Sequence, residues 1–426
     1  MTGTPRKRIF HGWWIVSAFG VINMYVAGFF YYGFGAIFNP IISEFGWSRA
    51  ATSLAFSLER LEGGISAPIV GLLFDRIGPR RLVIFGSIIA AAGFFLLSRT
   101  ESLAVFYLSF VIISTGVGAA SIGVGMATVA NWFTRLRSRA MGFFLAGIGA
   151  GGLLVTVLVI VINLVGWRGA VLATGIGFLA VCLPLSFVMH HKPEDIGLRP
   201  DGDPVERPAR ATDGSVVPVK PEPYFTLRQA LRTRAFWMIC LVHNTVHLSA
   251  SAVLVHFIPN LVEVGISRET AALGFAGLSM MSMVGRVGLS WISDSMDKRY
   301  VTALALLLLT AGALILPFVH DLALLAVFIV VFAPGYGGAT PVRASLVADY
   351  FGRRSFGSIH GMMLGVITIG SIIGPTRAGW IFDVTGGYQT GYFIVAGTTA
   401  LAIPVALLIK QPGPPAGAHA GVAGQR

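Results

Sequence analysis

Stretches of about 20 apolar residues, each able to cross a hydrocarbon core about 30 Å thick, recur along the whole length of this chain. Twelve can be counted, at 12–36, 51–72, 82–98, 104–130, 140–165, 169–190, 236–262, 270–293, 300–318, 322–345, 356–376 and 388–410. In lipid, backbone N–H and C=O groups find no water, so each run must satisfy its own hydrogen bonds as a helix. Composition agrees: 55% of the 426 residues are hydrophobic and only 12% charged, where a soluble chain carries about 25%. The expectation is an all-α integral membrane protein of twelve spans.

A net charge of +12 invites a nucleic-acid reading, and the distribution of that charge excludes it. With the N-terminus inside, 23 of the 31 Lys and Arg fall in inner segments, against four (Arg49, Arg99, Arg168, Arg268) in outer loops. That asymmetry is the positive-inside pattern, and it predicts a multi-pass protein of the cell (inner) membrane with both termini cytoplasmic. Trp13, Trp14, Trp47, Trp167 and Trp237 fall near span ends, where amphipathic rings settle. The first apolar run is too long for a cleavable signal and is followed by further spans. Cys182 and Cys240 both lie inside spans and suggest neither a disulfide framework nor a metal site; no cofactor is implied.

The hydrophobic pattern breaks once, between 191 and 235, in a stretch rich in Pro, Asp and Arg that reads as an exposed, mostly irregular linker. Within it TLRQALRTR can form a short amphipathic helix on the inner surface. Four segments follow: a six-helix bundle at 1–190, the linker at 191–235, a second six-helix bundle at 236–410, and a disordered tail at 411–426. The bundles resemble each other. NWFTRLRSRAMG follows the fourth span and DYFGRRSFGSIHG the tenth; GLLFDRIGPRR follows the second and SWISDSMDKR the eighth. Asp75 and Asp294 lie 219 residues apart, and Trp132-Phe133 and Tyr350-Phe351 lie 218 apart. Duplicated six-span units build transporters whose substrate sits at the midplane between halves that rock against each other.

GLLFDRIGPRR resembles the loop signature of the major facilitator superfamily in spacing, residue types and place between spans two and three. HGWWIV opening span one, WFTRLRSRAMG, KPEDIGLRPDGD and GPTRAGWIFDVTGGY further resemble its monocarboxylate/oxalate–formate branch. The resemblance implies a latch built from Gly71, Asp75, Arg76, Gly78, Arg80, Arg81 and Arg135 that favours the outward-open state. Gly71 permits close packing. Asp75 can accept hydrogen bonds from a neighbouring helix N-terminus or from Arg135. In the second copy Ser290 and Asp297 replace the glycines.

Charges inside the spans are the candidate site. Arg286 lies about 6 Å from the centre of span eight at 1.5 Å per residue, where burial of Arg costs roughly 2.5–3.5 kcal/mol on insertion scales. Ser279, Ser282, Ser290 and Ser293 share its helical stripe, so this face is expected to look into a wet cavity. A planar, always-charged guanidinium suits a carboxylate, and related carriers place a substrate-binding arginine at this point. They also place a histidine thirty residues earlier, here His256; the pair His243 and His247 lies on nearly the opposite face. Span two carries Glu59, Arg60 and Glu62 near mid-bilayer, where two carboxylates at i, i+3 should not both ionise. They are proton-coupling candidates or, with Arg60, an ion pair holding the bundle together. Tyr31 and Tyr336, the latter in the APGYGG kink of span ten, can donate to a carboxylate. Snorkelling explains Arg343 and Arg377, near span ends.

Departures from the branch sharpen the expectation. Animal monocarboxylate carriers have an aspartate one turn before the arginine, where Ser282 stands here, and a lysine late in span one, where Gly35 stands. The span-eleven lysine of the oxalate–formate antiporter is absent from 356–376. One cation in the second half suits a single carboxylate. The expected function is a monomeric secondary transporter carrying a small monocarboxylate, with protons, by alternating access; exchange of anions or export of another organic solute is the alternative. A membrane sensor would need a large soluble domain. An enzyme would need an HExxH or GxSxG constellation, and neither occurs.

Overall fold

The computed structural model describes residues 9–203 and 224–413, so linker residues 204–223 and tail residues 414–426 lie outside the described residues. Ten helical segments are long and apolar enough to cross a membrane. Two of them, Leu58–Ser98 and Arg137–Ser186, span 41 and 50 residues, and each reverses at a glycine. Gly78 (φ 76°) and Gly166 (φ 73°) adopt left-handed backbone inside them, open to residues without a Cβ. Counting each as two crossings gives the twelve spans expected.

Span 1 runs His11–Phe38: the helix His11–Val26, a π-helical turn Ala27–Tyr31 and the start of the helix Phe34–Phe45, whose last turns project beyond it. Span 4 is kinked between Leu103–Ala120 and Ile122–Trp132, at Ser121. Span 5 begins with Arg137–Ala150 and continues into Gly152–Ser186, whose far part is span 6. Spans 7 to 12 are Arg234–Glu263, Arg268–Ser295, Lys298–Ile315, Leu322–Phe351, Phe356–Thr385 and Gln389–Leu408. Polar caps start several of them: Thr233, Ser267 and Asp321 accept from the amides of Phe236, Thr270 and Leu324.

Side-chain ties sort the helix ends onto two faces. On one, His11 bonds the carbonyl of Val188 (2.9 Å), Trp132 donates to His190 O (2.9 Å), Tyr350 donates to Ile409 O and Gln411 to Asp349 O. This face carries both described ends and the basic loops, and is called the basic face below. On the opposite face Glu44 accepts from Trp167 (2.6 Å) and Arg168 (2.8 Å), and Arg168 also donates to the carbonyls of Ser98 and Thr100. That clasp joins the ends of spans 1, 3 and 6 on that face.

The described part of the linker, 191–203, is mostly exposed or half-buried and is tied to the bundle at defined points. Short 3-10 turns at Pro193–Ile196 and Pro200–Gly202 hold it. Asp201, in the left-handed region (φ 59°), accepts from the amides of Thr134 (3.0 Å), Arg135 (2.8 Å) and Leu136 (3.2 Å). Those amides lead into span 5, and a carboxylate there meets both orphan donors and the helix dipole. TLRQALRTR forms only the five-residue helix Leu227–Leu231 before Thr233 starts span 7.

Candidate functional site

The halves meet through glycines. A Cβ on Gly71 of span 2 would lie 2.1 Å from the Gly357 carbonyl of span 11, and one on Gly361 would lie 2.4 Å from Ala67 O. On the other flank, a Cβ on Gly142 of span 5 would lie 2.6 Å from Arg286 O of span 8 and 2.8 Å from Ser290 Oγ. Small residues let backbones approach this closely, and packing is what drives helices together in lipid.

Asp75 caps the first of these seams. Its oxygens accept from the amides of Gly357 (3.1 Å) and Ser358 (2.8 Å) at the start of span 11. The second seam repeats the arrangement with the halves exchanged: Asp294 accepts from the amides of Ser138 (2.9 Å) and Arg139 (3.2 Å) at the start of span 5. So the copy that lost its glycines kept the contact. Arg135 is not the partner of Asp75; it pairs with Asp203 of the linker, because its own position leaves the side chain 69% exposed. Arg76, Arg80 and Arg81 are exposed, Arg80 lying 4.5 Å over the Phe187 ring. Gly78 makes the turn. Two further ties across the basic face were not legible in the sequence: Arg137, buried, bonds Asp349, which also meets Lys298 at 2.6 Å, and Arg353 donates to Asn131 O.

Above Gly71 and Phe74 a cavity of about 320 Å³ separates spans 2 and 4 from spans 7 and 11. Tyr31, Glu59 and Arg60 line it from one half; His247, His360, Thr368 and Ser371 line it from the other. Glu62 turns away, accepting from Ser114 and from Thr115 (2.8 Å) of span 4. The two carboxylates of span 2 therefore serve different neighbours. Glu59 and Arg60 make no ion pair within 4 Å among the described residues.

Arg286 lies outside this cavity wall. Half-buried, its Nη1 would sit 3.7 Å from a Cβ on Gly149 of span 5, and it lies within electrostatic reach of Tyr32, as does Tyr336. No acidic residue pairs with it among the described residues. The serine stripe expected to line a wet face does something else: Ser282, Ser290 and Ser293 are 1%, 0% and 0% exposed. A Cβ on Gly337 of the span-ten kink would meet Ser282 O at 1.9 Å. These serines are small packing residues; the hydroxyls of Ser282 and Ser293 bond their own helix, and that of Ser290 has no partner among the described residues. His256 is engaged away from Arg286, with Nε2 3.1 Å from Pro375 O and Nδ1 3.4 Å from the Tyr388 hydroxyl.

Arg343 does not snorkel. It is 1% exposed, and its Nη1 donates to His247 Nε2 at 3.2 Å. The signal was present in GGATPVRAS: small residues all round a helix mark it as interior, where a lipid-facing helix would carry Leu and Ile.

Twelve spans in two interlocked halves, a cavity at their junction and a gate closed beneath it define a membrane transporter. The sequence model of the Major Facilitator Superfamily matches residues 21–287 and again 239–425, and the chain belongs to that superfamily. Curated relatives are monocarboxylate transporter 13 of Rattus norvegicus, 26% identical over 92% of this chain and 87% of the relative, and the oxalate:formate antiporter of Oxalobacter formigenes, 23% identical over 93% and 91%. Among solved structures the fold is similar to the E. coli fucose:proton symporter, with a TM-score of 0.71 at 15% identity over 96% of this chain and 100% of that one.

Proposed function

We propose that this transporter carries a small monocarboxylate together with a proton by alternating access. It sits as a monomer in the inner membrane with the basic face and both termini in the cytoplasm. Segments 1–190 and 236–410 rock as units about the 191–235 linker, and the latch around Asp75 holds the cytoplasmic side shut. Arg286 takes the carboxylate, with Tyr336 adding a hydroxyl; Tyr31 and Glu59 face the neighbouring cavity, and His256 acts from the far end of span 7.

The observation that carries this reading is Arg286 itself: a permanent cation at the seam between halves, against the backbone of span 5, with no acid to neutralise it among the described residues. An unpaired charge there favours an anionic ligand. The names of the curated relatives, transporters of monocarboxylates and of oxalate and formate, support the substrate class.

The test is uptake of labelled lactate, pyruvate, formate and oxalate into proteoliposomes under an imposed pH gradient. Arg286→Ala should abolish uptake and Arg286→Lys should restore little, because an ammonium lacks the bidentate fork. Normal uptake by the Ala variant would refute the assignment. Uptake accelerated by an internal counter-anion and indifferent to the pH gradient would favour exchange.

A further inference from the structure

Arg343 is a guanidinium that is 1% exposed and meets no carboxylate within 4 Å among the described residues. Its Nε has no hydrogen-bond partner among the described residues. A buried cation without a counter-charge is unfavourable, so an anion brought within its field would be stabilised.

The hydrogen bonds around it show where. Guanidinium nitrogens only donate, so His247 Nε2, 3.2 Å from Arg343 Nη1, must accept. His247 is then neutral with its proton on Nδ1, and that N–H donates to Ser371 Oγ at 3.2 Å. The Ser371 oxygen is occupied as an acceptor, which leaves its own hydroxyl hydrogen free. Both His247 and Ser371 line the cavity. The charge of Arg343 therefore reaches the cavity wall through a polarised ring and a hydroxyl donor.

Two other groups converge on the same space. Arg60 enters from span 2, lining the cavity, exposed and without an ion pair within 4 Å among the described residues. His360, 1% exposed, lines the cavity with Nε2 unpartnered. Glu59 is the acid on that wall, and it forms no pair with either arginine. The span-1 turn divides this site from the first: Tyr31 faces Arg60 and Glu59, while its neighbour Tyr32 feels Arg286 and Tyr336.

We propose that the cavity between spans 2, 4, 7 and 11 binds a carboxylate group between Arg60 of one half and the Ser371–His247–Arg343 relay of the other. This rests on the transporter reading above and widens its substrate class: the bound group is either the second carboxylate of a dicarboxylate that also meets Arg286, or a second monocarboxylate. Because its donors come from both halves, the site is complete only while the halves are closed on it.

Binding of radiolabelled acetate and malonate to the full-length protein in nanodiscs tests this, using wild type, Arg60→Gln, Arg60→Lys and Arg286→Ala. Arg60→Gln should weaken binding of one or both ligands at least tenfold and Arg60→Lys should recover part of it, with unchanged melting temperatures showing that the variants fold. If malonate binds one per protein and loses affinity in both Arg60→Gln and Arg286→Ala, one dianion spans the two sites. If acetate binds two per protein and each variant removes one, two anions occupy them. Arg60→Gln folding normally and binding both ligands as wild type does overturns the proposal while leaving Arg286 untouched. Arg286→Ala binding normally while Arg60→Gln does not overturns the Arg286 assignment and leaves this site standing.

Discussion

At the residue scale, a single hydrogen atom decides whether the gate can shut. Gly71 and Gly357 leave no room between their backbones, and a methyl group at Gly71 would sit 2.1 Å from a carbonyl that cannot move without shifting span 11. Overpacking of this kind costs about 1–3 kcal/mol. Gly71→Ala is expected to lower the closed-to-open ratio by roughly fivefold to 150-fold, read as faster alkylation of a cysteine introduced at Val70, a cavity-floor residue, by a reagent added from the basic face. Unchanged labelling would show that the seam is looser than its geometry. On the opposite face, hydrogen bonding from Trp167, together with Arg168, holds the Glu44 carboxyl below the usual carboxylate range. A depressed acid stabilises the fold above its unfolded-state value and loses that contribution as pH falls through its folded value. Glu44→Gln should therefore melt lower than wild type at pH 7, by no more than about 1 kcal/mol since the pair is part-exposed, and the two curves should converge below about pH 4. A constant gap across pH would assign the loss to packing. The same scale marks the limit of reading from sequence. Arg286 and Arg343 are equal in type and both stand in apolar spans; only the neighbours, brought from other spans, separate an arginine half-buried at the seam from one sealed behind His247.

At the element scale, hydropathy located every span, because the length of an apolar helix is set by the membrane rather than by its neighbours. It could not locate what helices do to one another. The break at Ser121, the π-helical turn before Tyr32 and the serine stripe of span 8 are all settled by interhelical packing, and a polar stripe reads the same whether it faces water or a tight seam. The linker shows the same limit from the other side. Its composition reads as irregular, yet Asp201 gathers three amides ahead of span 5, while Glu194 reaches Arg353 in the other half at 2.5 Å. The first turn of span 5 is thus held by a residue from the linker. Asp201→Ala should expose those amides, a loss of about 0.5–2 kcal/mol for a cap of this type. Hydrogen exchange at 134–136 should rise by roughly threefold to thirtyfold, with exchange in span 11 unchanged. Exchange at the wild-type rate would mean that water caps the turn as well as the carboxylate does.

At the scale of the whole molecule the two latches are one device. Asp75 holds Gly357 and Ser358; moving 219 residues on from Asp75 gives Asp294, and moving 219 back from that amide pair gives Ser138 and Arg139, which Asp294 holds. A pseudo-two-fold relation therefore carries each contact onto the other, even though the glycines of the motif survive in only one copy. The loop signature alone pointed to one latch; the duplication of the acid at the same interval was the hint of the second. Each is a carboxylate on helix N-terminal amides, worth about 1.5–3 kcal/mol when charge-assisted. If each half moves as a rigid unit, both latches weigh on a single closed–open equilibrium. Asp75→Asn and Asp294→Asn should then each shift that equilibrium by roughly tenfold or more, and their effects should multiply in the double variant. Spin labels across spans 2 and 11, and separately across 5 and 8, would report this by pulsed electron resonance: either single variant should lengthen both distances in the same population. If Asp75→Asn opened only the 2–11 pair and left 5–8 closed, the halves would be flexing locally, and the rocking motion assigned to them would be wrong.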